Sequence, residues 1–302
     1  MVICMIDEAN IVYTFKQAFH ISYNANYLCC LGSNVYVYNS KNGSLVSILK
    51  DLEHPCYAKF TSNDNLIIKT TTGKYHIYNL NSMALIRIIP PPPKVLGSTT
   101  DFQLTSDNKY IIDFSYVFPN CKLMFIETET GEYTFFDLEC CKRGYVFSTE
   151  VESKYYLMAN CVETINSADV SIQKFYELSY SSSGFKLEKL FVDNNGRVSI
   201  VDYGSNKIVF ANYSNKITIF DIQKNYRESF EYTKSGVLYD LKISQNGQLV
   251  ALAESKSIYI YDLLKKEIIR TFEVDYGCFV DFLDNDTKLL IGTWEKGFCV
   301  SL

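Results

Sequence analysis

Ile217-Thr218-Ile219-Phe220-Asp221 and Ile258-Tyr259-Ile260-Tyr261-Asp262 are two copies of one phrase: an apolar run closed by an aromatic and an acid. Val35-Tyr36-Val37-Tyr38-Asn39 and Tyr75-His76-Ile77-Tyr78-Asn79 repeat it with Asn in the last place. Fainter copies are Leu123-Met124-Phe125-Ile126-Glu127, Gln173-Lys174-Phe175-Tyr176-Glu177 and Gly297-Phe298-Cys299-Val300-Ser301-Leu302. Successive copies start roughly 40 to 50 residues apart, a period that marks repeat architectures. β-Branched and aromatic residues in such short runs favour strands. The closing Asp or Asn is expected to accept hydrogen bonds from the backbone of the turn that follows.

A second periodic signal precedes each phrase. Polar turns at Thr61-Ser62-Asn63-Asp64-Asn65, Thr105-Ser106-Asp107-Asn108-Lys109, Gly204-Ser205-Asn206-Lys207, Ser244-Gln245-Asn246-Gly247 and Asp284-Asn285-Asp286-Thr287 separate apolar runs. Asn, Asp and Gly tolerate the positive φ of tight hairpins. The unit is therefore four antiparallel strands, which is a propeller blade. No long window has helical periodicity, so the expected class is all-β. Inner strand pairs fall around 18–31, 56–69, 100–114, 145–160, 197–211, 237–253 and 278–293, which gives seven blades. The whole chain, 1–302, is expected to form a single β-propeller domain.

The chain resembles the WD-repeat-like β-propellers. Phe220-Asp221 and Tyr261-Asp262 stand where that family has its Trp-Asp dipeptide. The only tryptophan, Trp294, lies one strand too early, and the Gly-His element is missing, with His54 as its nearest echo. The family's buried His-Asp network therefore does not carry over. The resemblance implies a scaffold or adaptor that binds other proteins.

Closure of the ring can be read from the ends. Ile11-Val12-Tyr13-Thr14-Phe15 mimics the outer-strand sequence Ile268-Ile269-Arg270-Thr271-Phe272. The last blade ends on a third strand, so 11–16 is expected to supply its fourth and remove an open edge. Val2-Ile3-Cys4-Met5-Ile6-Asp7 also looks like a third strand and competes with 297–302. One of the two must be displaced, added at an edge or paired with another chain.

Charge and composition exclude several classes. The 302 residues carry 29 basic and 34 acidic side chains, a net charge of −5, with no basic run. That argues against sequence-independent binding of nucleic acid or of anionic membranes. No apolar run approaches the ~18 residues that span a bilayer. The N-terminus lacks the basic region of a secretory signal. The ten cysteines include no CxxC pair and sit mostly in apolar runs, which suits buried reduced thiols and a cytoplasmic location. Sequons begin at Asn42, Asn212 and Asn285, too short a motif to outweigh the cysteines.

Catalytic constellations are not apparent. The three histidines, His20, His54 and His76, form no His-x-x-x-His pair, and no GxSxG or GxGxxG occurs. The expectation is a non-enzyme without metal or cofactor. Asp101, Asp202, Asp240 and Asp281 on the innermost strands leave one alternative open, a small-molecule or metal-binding propeller enzyme that uses these axial carboxylates. A third reading is an immunity-type or regulatory inhibitor that neutralises one dedicated, basic partner. For the leading reading, a protein partner, the loops entering the inner strands are the natural contact surface. They bring forward Tyr57, Thr100, Asp101, Tyr145, Arg197, Tyr239, Asp240 and Phe279, rich in the residue types of interface hot spots. Pro90-Pro91-Pro92-Pro93-Lys94 reads as a stiff surface connector. Within residues 161–187, Cys161 to Asp169 reads as a long connection and Ser179-Tyr180-Ser181-Ser182-Ser183-Gly184 as a small-residue hairpin tip, in an extended fourth blade.

Overall fold

The computed structural model describes residues 2–5, 10–148, 154–165, 168–194, 198–213, 215–232 and 236–302. The fold is a β-propeller of seven four-stranded antiparallel blades, and every element among the described residues is a strand. Two compact units emerge from the packing. The first, 1–50 with 198–302, contains blade 1 (20–49), blade 5 (198–231), blade 6 (238–273) and blade 7 (277–301). The second, 51–197, contains blade 2 (55–89), blade 3 (97–137) and blade 4 (141–193).

The apolar runs lie where two faces must be covered. Leu28 to Leu31, Leu66 to Ile68, Ile208 to Ala211, Val250 to Ala253 and Leu289 to Ile291 are all buried. These are second strands, and both sides of their pleat are apolar. In the first unit, Val209, Ile217, Leu241 and Tyr259 join blade 5 to blade 6, and Ala251, Ile260, Val280 and Leu289 join blade 6 to blade 7. In the second unit, Phe114, Leu123, Val146 and Leu157 join blade 3 to blade 4. Gly144 sits where a Cβ would overlap the Phe114 ring, so close packing there requires glycine.

The closing Asp or Asn behaves as the repeat implies. Asp262 Oδ1 accepts the N–H groups of Leu264 and Lys265, each at 2.9 Å, and Asp221 Oδ1 accepts that of Lys224 at 2.9 Å. Asn39 and Asn79 do the same for Lys41 and Ser82. The Lys265 N–H, then that of Leu264 and the Lys265 ammonium, hold the Asp262 carboxyl below its ordinary range. The hairpin turns take positive φ at Asp64, Asn108, Asn206, Gly247 and Asn285.

Ile11–Lys16 completes blade 7, pairing antiparallel with Lys296–Ser301. Val2–Met5 is added at an edge. It runs parallel to the outer strand of blade 6, Glu267–Glu273, with Val2 opposite Arg270 and Met5 opposite Glu273. Blade 4 is extended, with paired strands of 12 and 14 residues. Here the expectation of a long connection after Cys161 is corrected. Lys154–Ile165 and Ala168–Ser181 pair through to Ile165 opposite Ala168, so strand fills the supposed loop. Its polar sequence hid this, because the Lys174–Glu163 pair at 2.8 Å and the Thr164–Asp169 hydrogen bond at 2.9 Å stabilise it without apolar alternation. The tip at Ser181 and Gly184 is a two-residue hairpin.

Between blades 2 and 3 lies a buried ionic group that sequence patterning did not suggest. The Lys69 ammonium meets the Asp113 carboxylate at 2.7 Å, and neither side chain is exposed. The Tyr75 hydroxyl donates to the same carboxylate, and Phe114 N–H donates to its other oxygen at 2.7 Å. Burial first, and the Asp113 charge second, push the Tyr75 phenol well above its ordinary range. Nine cysteines, all but Cys4, are described as free thiols. Burial raises Cys56 and Cys299 to about 11, far from the reactive thiolate range. No helix among the described residues is long and apolar enough to cross a membrane.

Candidate interaction surface

In the first unit, exposed apolar side chains gather at the end of the blades where the chain enters the inner strands. In blade 7 the last pair between first and second strand is Gly277 opposite Thr293. Tyr276 and Trp294 follow directly beyond it, so both emerge at the same end, 61% and 54% exposed. Tyr276 N–H donates to Ser255 O at 2.7 Å, and Ser255 N–H donates to Val237 O at 3.1 Å. The Ser255 turn thus links the entries of blades 6 and 7, and it sets exposed Val237 and Tyr239 beside Tyr276. On the other flank, Ala18 N–H donates to Thr293 O at 3.2 Å, and the Phe19 ring lies 6.0 Å from Trp294. Tyr213 is exposed at the corresponding turn of blade 5.

Tyr276 carries a further mark. Its φ is +57°, a left-handed conformation that aromatic residues seldom adopt. Such conformations cost on the order of 1 kcal/mol and concentrate where a side chain has a task. Here the strain turns a large aromatic outward.

Few of the residues chosen from sequence join this surface. Tyr239 does. Phe279 does not: it is 4% exposed and packs edge-to-face on His20 at 5.2 Å, so it lies in the core rather than on this surface. Tyr57 is partly buried, edge-to-face on Phe102 at 5.5 Å, and Tyr145 lies under the Arg143 guanidinium at 4.8 Å. Asp101 is partly buried. The side chain of Thr100, and Arg197 altogether, lie outside the described residues. The physical reason is a bulge at the entry of several inner strands: Pro55/Tyr57, Leu238/Asp240 and Gly277/Phe279. Each bulge moves the chosen residue one step into the blade, and the exposed residue lies before it or on it. Tyr276, Trp294, Val237, Phe19 and Tyr213 were therefore missed. The signal that finds them is the first residue outside the last strand pair.

The inner-strand carboxylates hold neighbouring blades together. Asp202 accepts Ile243 N–H at 3.0 Å and the Lys242 ammonium at 3.3 Å, joining blade 5 to blade 6. Asp240 accepts Val280 N–H at 3.1 Å, joining blade 6 to blade 7, and Leu241 N–H at 2.9 Å. Asp281 accepts Phe282 N–H at 2.9 Å. Among the described residues, no group of three or more His, Cys, Asp or Glu is arranged to hold a metal ion. At the opposite end of blades 5 and 6 lies a shallow hollow of about 340 Å³. The charges there pair locally: Lys207 with Gly247 O at 2.7 Å and Lys224 with Asp221 at 3.4 Å.

Burial pushes the Asp240 carboxyl up to about 7; Asp202 and Asp281 add to this, while Lys242 and Val280 N–H oppose it. A raised carboxyl binds its proton in the folded chain after the unfolded chain has released it. Stability is therefore lost as pH rises from about 4 to about 7. Asp240→Asn removes this dependence. Between pH 5 and pH 8 the stability difference between variant and wild type should move by about 2 kcal/mol in the variant's favour. That is less than the ~4 of a full three-unit shift, because Asp240 is only partly buried. Urea titrations at the two pH values measure it, and equal differences at both would remove the assignment.

No family model and no curated protein matches the chain.

Proposed function

We propose that this propeller is a non-catalytic, WD-repeat-like interaction module that binds one protein partner through the apolar end of blades 5, 6, 7 and 1. The observation that carries the reading is the exposure of Val237, Tyr239, Tyr276 and Trp294 at one end of blades 6 and 7, with Tyr276 held in a strained conformation. Exposed apolar clusters of this kind mark protein-binding surfaces on soluble folds, and Tyr and Trp dominate their energetics. The propeller fold supports the reading by analogy only, since many functions share it. Aromatic-Asp pairs at the ends of third strands, Phe220-Asp221 and Tyr261-Asp262, favour the WD-like class. The free, mostly buried thiols favour a reducing compartment, the cytoplasm.

The test is capture from the native host's lysate with wild type and with Tyr276→Ala/Trp294→Ala, read by quantitative mass spectrometry. One stoichiometric partner should bind wild type and weaken at least 100-fold on the variant, about 3 kcal/mol from two anchors. Because the contact is mainly apolar, moderate salt should leave it in place. The melting temperature should stay unchanged, as both side chains are exposed. A partner that binds the variant equally well would send the search to another surface.

A further inference from the structure

The outer strands of blades 2 and 6 are copies of each other. Leu85-Ile86-Arg87-Ile88-Ile89 corresponds to Ile268-Ile269-Arg270-Thr271-Phe272. Both strands bulge at the same place. Leu85 faces Tyr78 and Arg87 faces Ile77, with Ile86 extra; Ile268 faces Tyr261 and Arg270 faces Ile260, with Ile269 extra. They differ in what lies outside them. Blade 6 carries Val2–Met5 as a parallel fifth strand paired to Arg270 through Glu273. Among the described residues, blade 2 carries no fifth strand.

Exposure follows that difference. Thr271 is 7% exposed and Ile269 partly buried, whereas Ile88 is 47% and Ile86 56% exposed. Blade 1, also four-stranded, has the same bulge at Val46 and exposes Leu45 and Val46, but there Ile48 is partly buried. The outer strand of blade 2 is thus an open edge with three exposed apolar side chains, Leu85, Ile86 and Ile88. It lacks the charged or inward-turned residues that usually blunt such edges, apart from Arg87 and the following Pro90.

We infer that the outer edge of blade 2 is a second docking site, which takes a short, extended, apolar segment of a partner protein as a parallel fifth strand. The chemistry of the occupant is read from blade 6. Its first three residues, opposite Arg87, Ile88 and Ile89, are uncharged and apolar, as Val2, Ile3 and Cys4 are opposite Arg270, Thr271 and Phe272. Pairing stops at Pro90, which has no N–H to give. Main-chain hydrogen bonds supply the affinity, and the Ile86–Ile88 surface selects apolar side chains. This site is independent of the aromatic end of blades 6 and 7.

The test uses the full chain and a fluorescent peptide with the sequence of residues 1–7, under reducing conditions, read by polarisation. The expected result is saturable binding that weakens at least tenfold in Ile86→Lys/Ile88→Lys and with a peptide carrying Ile3→Pro. Both chain substitutions are at exposed positions, so melting should not change; Ile86→Lys alone, at the bulge, provides a milder second variant. Absence of saturable binding overturns the inference. So does equal binding to the double variant, which would mean exchange at blade 6. Light scattering gives the third arm. A wild-type dimer that the double variant dissolves would assign the edge to a second copy and overturn the partner segment.

Discussion

Asp113→Ala should destabilise the protein by about 3–5 kcal/mol, because it removes the carboxylate that the buried Lys69 ammonium meets at 2.7 Å. Lys69 and Asp113 are both fully enclosed, and the carboxylate also accepts the Tyr75 hydroxyl and Phe114 N–H. Removing the acid takes an acceptor from three donors at once. Lys69→Met should cost a similar amount for the complementary reason. The double variant Lys69→Met/Asp113→Leu should recover only the share due to the buried ammonium, about half of the loss, because the Tyr75 hydroxyl and Phe114 N–H still lose the carboxylate. At roughly 2–4 °C per kcal/mol for a chain of this size, each single variant should melt about 10 °C lower. Thermal and urea denaturation of the cycle measure this. Single losses under about 1 kcal/mol would show that the pair is hydrated or mobile in solution.

Deleting residues 1–16 should lower the melting temperature by about 10 °C or more. The deletion removes the fourth strand of blade 7 and exposes Lys296–Ser301 as a raw edge. It also removes Phe15, 4% exposed and edge-to-face on Tyr38 at 5.0 Å, and the hydrogen bond from Lys16 N–H to the Tyr38 hydroxyl at 3.0 Å. Truncating Phe15 alone to alanine should cost about 3–5 kcal/mol. Deleting only residues 1–6 takes away the added fifth strand and leaves blade 7 whole. That shorter deletion should shift melting by no more than about 3 °C. Calorimetry of the two deletions separates the roles of the two segments. An unchanged curve for the 1–16 deletion would contradict closure of blade 7 by Ile11–Lys16.

The architecture was legible because its causes are local and repeat. Third strands ending in aromatic-Asp, hairpins of Asn, Asp and Gly, and second strands apolar on both faces each state a geometry within a few residues. The match between 11–15 and 268–272 even showed which strand finishes the last blade. What remained hidden depends on distance or on register. Lys69 and Asp113 are 44 residues apart, and only packing of blade 2 on blade 3 shows that they meet. Phe279 was chosen as a contact because its entry position looks exposed, and a one-residue bulge places it in the core. Tyr276 and Trp294 are unremarkable in sequence. They become a surface only when the Gly277–Thr293 pair sets them at one end of a blade. Of the carboxylates read as candidate metal ligands, Asp202, Asp240 and Asp281 accept backbone N–H groups, two of them from the next blade, a partner that residue type alone does not reveal.

The central claim is that blades 6 and 7 present a protein-binding end built on Tyr276 and Trp294. Hydrogen–deuterium exchange of the chain with and without its captured partner tests it most directly. The account predicts protection at 236–240, 254–256, 274–278 and 293–296, with little change in the turns at 222–225 and 263–266. Protection confined to those opposite turns, or no protection in 274–278 and 293–296, would contradict it.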